Sequence, residues 1–364
     1  MSRITSPKRL ARKRVLLTSA SLIALVVASS DLHAQSAQSP PPAGAPQGQW
    51  SSWSEAGLTG HPALDPAIGL PPLGPVANVD PGSGWEGALG FDYRVGQCEA
   101  ATAPLLVKAG PPCWLSPYHV SGQFRYGLNN GGSDPFSLTG VTVPFLTTSG
   151  ASAPAVVNAT GSGTLNSESH WLLDLGVGRD FGLGSGNVQT TLGVRVAEIT
   201  STASGAASIQ ACLSGGPPGP FCTTPASGGF SFQSRSQFLG VGPRLGIIGS
   251  QPLAGSWAFE YLGGVAVLFG NRSLNATQTL SATTAPPPST VTSITALNSS
   301  STVGVFNLDA QVGISYWLTQ SFKLTASYRF DGYWGVLTII EPNGAPGQQD
   351  RFYYGPMLRG TILF

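Results

Sequence analysis

The stretch FYYGPMLRGTILF, residues 352–364, decides the fold of this chain. Counting back from Phe364 in steps of two gives a mostly apolar row, which is Ile362, Gly360, Leu358, Pro356, Tyr354 and Phe352. The residues between them form a more polar row: Leu363, Thr361, Arg359, Met357, Gly355 and Tyr353. Because successive side chains of a strand point to opposite faces, the stretch predicts a β-strand with one face toward hydrocarbon and the other toward water or packed polar groups.

A chain that ends in an aromatic residue on such a strand resembles the bacterial outer-membrane β-barrel proteins, whose assembly machinery reads this terminal signature. The predicted assembly signal consists of Tyr354, Leu358, Ile362 and Phe364. We therefore expect an all-β fold, a single antiparallel transmembrane barrel, in the outer membrane of a Gram-negative cell. Outer-membrane lipid and the barrel assembly machinery are the partners that this expectation implies.

The N-terminal segment predicts export by a Sec-type pathway. Six basic residues among the first 14 precede a mostly apolar run at residues 15–28, and small and polar residues follow up to Ala34. This pattern indicates a secretory signal peptide over residues 1–34. A membrane-spanning helix is the competing interpretation, but it needs ~20 apolar residues, more than this run provides.

The composition limits the kinds of partner that the protein could bind. Only 10% of the residues are charged, and removal of residues 1–34 leaves 12 Lys and Arg against 16 Asp and Glu, a net charge of about −4. A negative net charge disfavours nucleic-acid binding. The four cysteines fall into two local pairs, Cys98 with Cys113 and Cys212 with Cys222, which predicts two loop-closing disulfides in an oxidising compartment. Metal ligation is the alternative, and the absence of C-x-x-C spacing disfavours it.

The rest of the chain divides into a leader and a barrel. Residues 35–83 are rich in Pro, Gly and Ala without a sustained period, which predicts a largely irregular periplasmic extension. From residue 84 to 364 a period of two recurs. The predicted strands lie near residues 85–95, 118–128, 136–146, 170–178, 192–197, 239–247, 257–270, 306–316, 322–334 and 352–364. Twelve strands result if the leader or residues 147–166 contain another hairpin.

The connections between these strands alternate in length. Long ones fall at residues 96–116, 147–166, 201–229, 272–302 and 338–350, and short ones at residues 129–134, 182–187, 250–256 and 319–320. Outer-membrane barrels have short periplasmic turns and longer external loops. The alternation predicts periplasmic termini, cysteine pairs in external loops, and a mobile external loop at residues 272–302.

Several stretches are similar to the Legionella-type major outer membrane protein family. They are HWLLDLGVGRDFGLG at residues 170–184, LGVRVAE at 192–198, FLGVGPRLG at 238–246 and the closing stretch at 352–364. The resemblance implies a pore-forming outer-membrane barrel, with a surface adhesin role in some members. It brings no catalytic motif.

Charged residues recur on the predicted inner face. The candidate pore-lining residues are Glu86, Asp92, Arg94, Arg125, Asp174, Arg195, Arg244, Asp309, Lys323, Arg329, Asp331 and Arg359. Mixed charges in a barrel must pair or be hydrated, which leaves two interpretations. In the first they line a hydrated passage for ions or small hydrophilic solutes. In the second they form a closed ion-pair network that fills a narrow lumen.

The sequence therefore predicts a porin-like protein without a cofactor, a catalytic residue or a metal site. The alternative is a closed structural or adhesive barrel whose external loops contact a host or envelope partner. An outer-membrane hydrolase is a third interpretation. It is disfavoured because His170 and Asp174 stand four residues apart on one strand face, about 13 Å, which is too far for a direct hydrogen bond.

Overall fold

The computed structural model describes residues 50–60, 68–70, 74–77, 82–95, 118–146, 152–183, 186–212, 225–284, 289–340 and 346–364. In chain order its strands are β1 (Trp50–Thr59), β2 (Ile68–Leu70), β3 (Gly74–Ala77), β4 (Gly84–Arg94), β5 (Tyr118–Asn130), β6 (Ser133–Leu146), β7 (Ser152–Leu183), β8 (Gly186–Cys212), β9 (Pro225–Pro252), β10 (Trp257–Thr284), β11 (Ser289–Trp317), β12 (Phe322–Ile340) and β13 (Pro346–Leu363). Across these ranges there is no helix of the length and apolarity that a membrane crossing requires. The predicted signal peptide lies outside the described residues.

Eleven of the strands form one antiparallel sheet that closes into a ring. β1 pairs with β13 on one side and with β4 on the other, and β5 pairs with β7. β5 and β6 lie end to end along β7, since Asn130 pairs with Ser167 and Ser133 with Thr164. The ring therefore has ten strand positions, which confirms the predicted antiparallel β-barrel.

The strands that fill these positions differ from the prediction in two places. The leader is not wholly irregular, because β1 lies within residues 35–83 and closes the ring. Residues 136–146 do not cross the barrel as a separate strand, because β6 extends β5 and no reversal occurs at residues 129–134. The period of β1 is weak in the sequence since small residues, Ser52, Ser54 and Ala56, separate its two exposed apolar residues, Trp50 and Leu58.

The two faces of the strands have the predicted character. Large apolar side chains are exposed on the outer face in a belt that includes Leu89, Phe124, Leu175, Leu192, Leu245, Phe259, Val267, Phe269, Phe306, Val312 and Leu358. Buried charges alternate with them on the inner face. A continuous apolar belt of this kind is unfavourable in contact with water and favourable in contact with lipid.

We call the end of the barrel where Ser51 pairs with Leu363 the base. At the other end β7 to β11 continue far past the belt, as their lengths of 27 to 32 residues show. A transmembrane strand needs only ~9–11 residues. We call the part beyond the belt the extended sheet; it consists of β6 and residues 152–166, 200–212, 225–237, 271–284 and 289–305.

The extended sheet replaces three of the predicted long loops. The sequence predicts a mobile loop at residues 272–302, yet β10 and β11 pair without a register shift from Trp257 and Tyr316 to Thr284 and Ser289. Residues 147–166 and 201–229 likewise contribute paired strands. The many Thr residues, with Val and Ile, help to explain the difference, since β-branched side chains favour strands even where large apolar residues are few.

The connection between β4 and β5 lies at the base, because Arg94 pairs with His119 and Tyr93 with Trp50. Residues 96–116 lie outside the described residues, but the strands that flank them meet at the end where β13 finishes and not, as predicted, at the opposite end, since β1 reverses the direction of β4. Cys98, Cys113 and Cys222 lie outside the described residues. Cys212 is buried at the end of β8 and is not a free thiol. Both disulfide pairings remain predictions.

Candidate functional site: the charged lumen and its apolar cluster

The first group of lumen charges surrounds Arg195 on β8, whose side chain is fully buried. Its Nε and Nη2 atoms donate to the carboxylate of Asp174 on β7 at 2.7 and 2.6 Å. Its Nη1 atom donates to Oδ1 of Asp309 on β11 at 2.9 Å. Arg244 on β9 joins the same two carboxylates, with Nη2 3.2 Å from Asp309 and Nε 3.3 Å from Asp174. Two cations and two anions thus connect four strands.

The second group surrounds Glu86 on β4. Arg329 donates to Oε1 of Glu86, and Nε of Arg125 lies 3.4 Å from the same oxygen. Nε2 of His170 lies 3.0 Å from the other oxygen, Oε2. Arg125 also donates to Asp331. All five side chains are buried, so the group excludes bulk water.

The strand that the leader supplies brings a third carboxylate into the lumen. Glu55 on β1 accepts hydrogen bonds from Arg329 and, at 2.9 Å, from Nε of Arg359. The amide of Gln311 donates to its Oε2 atom at 2.8 Å. Without β1, Arg329 and Arg359 would lack this shared anion.

Two smaller pairs lie at either end of these groups. Toward the base, Nζ of Lys323 lies 2.8 Å from Oε1 of Glu260. On the other side Glu168 accepts from Nε of Arg351 at 2.7 Å and from the hydroxyl of Tyr353 at 2.9 Å. The ion pairs therefore follow the lumen along most of the belt.

The charges balance. Five buried carboxylates, Glu55, Glu86, Asp174, Asp309 and Asp331, contact five guanidinium groups, Arg125, Arg195, Arg244, Arg329 and Arg359. An unpaired buried charge is costly, whereas a paired and hydrogen-bonded one is tolerated. The arrangement is that of a packed network, because charges lining a wide aqueous passage would be exposed.

A histidine group lies near the base. Nδ1 of His119 is 3.1 Å from Asp180, and its Nε2 is 3.3 Å from the hydroxyl of Thr191 and 3.8 Å from Asp92. Arg94 pairs with Asp180 at 3.1 Å. A carboxylate, an imidazole and a hydroxyl in this order are also the parts of a nucleophilic triad. His119 and Thr191 are only 1% and 4% exposed, however, so the hydroxyl is closed to a substrate.

An apolar cluster fills the lumen beyond the ion pairs. Its buried members come from seven strands and are Leu172, Ala197, Ile199, Phe238, Ala266, Leu268, Val305, Tyr333, Val336, Leu337 and Tyr353. The rings of Tyr353 and His170 lie 4.1 Å apart, which joins the cluster to the Glu86 group. At this level buried apolar side chains from seven strands therefore pack together inside the lumen.

The end of β12 completes the cluster by leaving the barrel wall. The pairing of β11 with β12 ends at Phe306 and Trp334, and the register of β12 with β13 shifts between Tyr333 and Leu337. Gly335 has a φ of 65°, a left-handed conformation that Gly adopts without strain. The chain then turns inward, where Val336 and Leu337 are almost fully buried.

Hydrogen bonds hold this inward segment against the opposite wall. Nη1 of Arg272 on β10 donates to the carbonyl of Gly335 at 2.6 Å. The backbone N–H of Thr338 donates to the hydroxyl of Ser236 on β9 at 2.9 Å. Neither β9 nor β10 is a neighbour of β12 in the sheet, so these bonds cross the lumen.

Eight of the twelve predicted pore-lining residues form ion pairs with one another, namely Glu86, Arg125, Asp174, Arg195, Arg244, Asp309, Arg329 and Asp331. The other four contact inward-facing residues outside the predicted set: Arg94 contacts Asp180, Asp92 approaches His119, Lys323 contacts Glu260 and Arg359 contacts Glu55. Sequence reasoning missed four contributors, Glu55, Glu168, His170 and Gln311. Glu55 lay in the supposed leader, and Glu168 lay between the predicted loop at residues 147–166 and the predicted strand that begins at His170. The alternation of Trp53, Glu55 and Gly57 with Ser54 and Ala56 was the available signal for β1. Among the described residues no group of three potential ligands could hold a metal ion.

Three solved outer-membrane structures resemble the chain distantly. The outer membrane protease OmpT from Escherichia coli has 11% identity and a TM-score of 0.35, over 87% of this chain and 94% of that one. A major outer membrane protein from Thermus thermophilus has 12% identity and a TM-score of 0.22, over 86% and 98%. The translocator domain of the autotransporter NalP from Neisseria meningitidis has 8% identity and a TM-score of 0.24, over 96% of both chains.

Sequence comparison identifies the family. No curated protein matches the chain significantly. The family model for the Legionella pneumophila major outer membrane protein precursor matches residues 153–364, which include β7 to β13 and most of the lumen charges. With its closed antiparallel ring and its apolar outer belt, the chain belongs to this family of outer-membrane proteins.

Proposed function

We propose that the protein is a closed surface barrel of the outer membrane, which acts through its extended sheet and not as a permanently open pore. The observation that carries the proposal is the burial of the lumen charges: Arg125 and Arg195 are 1% and 0% exposed and each contacts carboxylates from other strands. The base would face the periplasm and the extended sheet the cell exterior, in keeping with the short turns that join β7 to β8, β9 to β10 and β11 to β12 at the base.

A porin-like passage is the second candidate, and the end of β12 favours it. This segment no longer pairs with β11, and a change at Gly335 could move it together with the β13 residues that it still pairs with. Passage would also require the Arg195 and Glu86 groups to separate, which would leave charges unpaired unless water entered. A channel of this kind would be gated and closed at rest.

We also propose that the barrel is not an enzyme. The burial of His119 and Thr191 supports this, since a nucleophile must reach its substrate. Signal cleavage, export by the Sec-type pathway and recognition of residues 354–364 by the assembly machinery belong to the same proposal.

Epitope tags test the orientation. A tag inserted between Thr284 and Ser289, at the tip of β10 and β11, should bind antibody on intact cells. The matched tag between Trp317 and Phe322, in the turn at the base, should bind only after the outer membrane is permeabilised. The reverse result would place the extended sheet in the periplasm and overturn the proposal.

A further inference from the structure

The extended sheet is open, although the ring at the belt is closed. Its strand order is β6, β7, β8, β9, β10 and β11, which leaves β6 and β11 as its two edges. The β11 edge exists because β12 turns inward after Trp334 and stops pairing with β11. An edge strand presents unpaired backbone N–H and C=O groups, and proteins usually protect them.

The β6 edge has three forms of protection. Pro135 and Pro144 interrupt its row of N–H donors. Its pairing with β7 shifts register between Leu138 and Val141. In addition, the short strand β3 packs next to it. Each of these is a known way to prevent the addition of another strand.

The β11 edge has none of them. Residues 289–305 contain no Pro, and no charged residue occurs from Ser273 to Leu308. The pairing with β10 is continuous, so no bulge interrupts the edge. In residues 289–302, no described residue pairs with a strand on the side away from β10. Ala296, Asn298 and Ser300 are exposed, and Ile294 is 70% exposed.

We propose that residues 289–302 of β11, the β11 edge, form a strand-addition site for an extended, uncharged polypeptide segment of another protein. The added strand would run antiparallel to β11 and continue the ladder that β12 forms with β11 up to Trp334. Its backbone would bond to the free N–H and C=O groups. This inference deepens the proposed surface function and rests on it.

The chemistry of the edge sets the chemistry of the partner. The side chains of residues 289–302 are those of Ser, Thr and Asn together with Val291, Ile294, Ala296 and Leu297, so uncharged hydroxyl and aliphatic side chains would pack beside them. A charged side chain in the added strand would find no counter-charge on β10 or β11 within the extended sheet, apart from Arg272 on the inner face. The edge therefore favours an uncharged partner segment, in which Thr, Val and Ser would suit the neighbouring side chains.

A synthetic probe tests the site on the full-length protein, refolded in detergent. The probe is a fluorescent peptide of about ten residues that alternates Thr and Val, with neutral ends. Its control carries N-methyl groups on every second backbone nitrogen, so that these nitrogens cannot donate hydrogen bonds. We expect saturable binding of the first peptide and at least about tenfold weaker binding of the second. Equal binding, or none, would overturn the proposal.

A matched pair of variants locates the binding. The double variant Ala296→Lys, Asn298→Lys charges the edge, whereas Thr277→Lys, Asn275→Lys charges the residues directly across on β10, which is paired on both sides. All four positions are exposed. We expect the edge variant to weaken peptide binding at least about tenfold and the β10 variant to change it less than about twofold. Equal effects would remove the edge from the binding surface.

Amide hydrogen exchange distinguishes a partner segment on the β11 edge from the two other possible occupants, which are the chain itself and a second copy of it. Without peptide, every second amide in residues 289–302 should exchange fast and become slow when peptide is added, while residues 306–317 stay slow throughout. Slow exchange in the free monomer would mean that the chain covers its own edge, and a concentration-dependent dimer that the edge variant abolishes would mean that a second copy does. Either result overturns the proposal. The proposed closed lumen is tested separately by ion conductance, which does not depend on peptide binding.

Discussion

The barrel within the belt and the extended sheet differ in how their strands are paired and in what covers their two faces. Within the belt every strand is paired on both sides, lipid covers the outer face, and the inner face carries charges that pair across the lumen. In the extended sheet, β10 and β11 carry hydroxyl and amide side chains and only one charge, Arg272. The sheet there ends in two edges.

The difference shows what closes this barrel. Apolar burial alone cannot, because most large apolar side chains of the belt face outward. The ring is held by its backbone ladders and by ion pairs between strands far apart in sequence, such as Arg329 with Glu55 and Glu86. Where the ion pairs end, an apolar cluster built around the end of β12 takes their place, and the wall opens.

Deletion of β1, residues 50–59, should have the largest effect, because it removes the strand that closes the ring within the belt. It would leave β13 and β4 with open edges inside the membrane and remove Glu55 from Arg329 and Arg359. Unpaired backbone in lipid costs several kcal/mol per group, so we expect almost no folded barrel. The measurement is the fraction of protein that migrates as a heat-modifiable band.

Deletion of residues 35–47 is the control, because the described ring uses no residue before Trp50. It should leave the folded fraction unchanged. A β1 deletion that folds as well as this control would show that β1 does not close the ring.

Much of the fold could be predicted from the sequence. The alternation in residues 322–334 and 352–364 places β12 and β13 correctly, because large apolar and charged side chains mark the two faces. It fails for β1 and for the extended sheet, where small and hydroxyl side chains separate the few large apolar ones, such as Phe230, Phe232 and Leu274. Period alone also cannot show that β12 leaves the wall at Gly335, because the residues after it are apolar whether they face lipid or lumen.

Replacement of Arg195 by Leu should have the next largest effect. It leaves Asp174 and Asp309 buried with only part of their compensation, a loss of about 3–5 kcal/mol. The urea midpoint of unfolding measures it. The control, Arg235→Leu, removes an exposed cation from the extended sheet and should change stability by no more than about 0.5 kcal/mol. Similar losses in the two variants would contradict a packed network.

Replacement of Gly335 by Ala should have the smallest effect and would sharpen the boundary between the two halves. The added Cβ would lie 2.8 Å from Oε1 of Gln348, at a φ that costs a non-Gly residue about 1–2 kcal/mol. Exchange of the Thr338 amide, which is bonded to Ser236, should therefore become faster.

Gly255→Ala is the matched control. Gly255 has a φ of 60° in the turn at the base, and no atom lies within 4 Å of its added Cβ. The Gly255→Ala variant should lose about as much stability as the Gly335→Ala variant but leave hydrogen exchange at the Thr338 amide unchanged. Faster exchange in both variants would mean that the inward segment responds to general destabilisation and not to its own hinge.

The charged lumen could be predicted as a set of residues but not as a structure. The inner row names most of the cations and anions, since they alternate with the apolar row, but it misses Glu55 and Glu168. It cannot decide between a hydrated passage and a closed network, because that depends on which strands face each other and on Glu55. The partners of Arg195, on β7 and β11, are separated from it by 21 and 114 residues.

Single-channel conductance tests the closed lumen most directly. The protein, refolded and shown to be heat-modifiable, is inserted into a planar bilayer and recorded across a salt gradient. We predict no discrete conductance steps, because paired charges and the apolar cluster fill the described lumen. Frequent steps whose conductance rises with salt concentration would show an open aqueous pore and contradict the closed barrel.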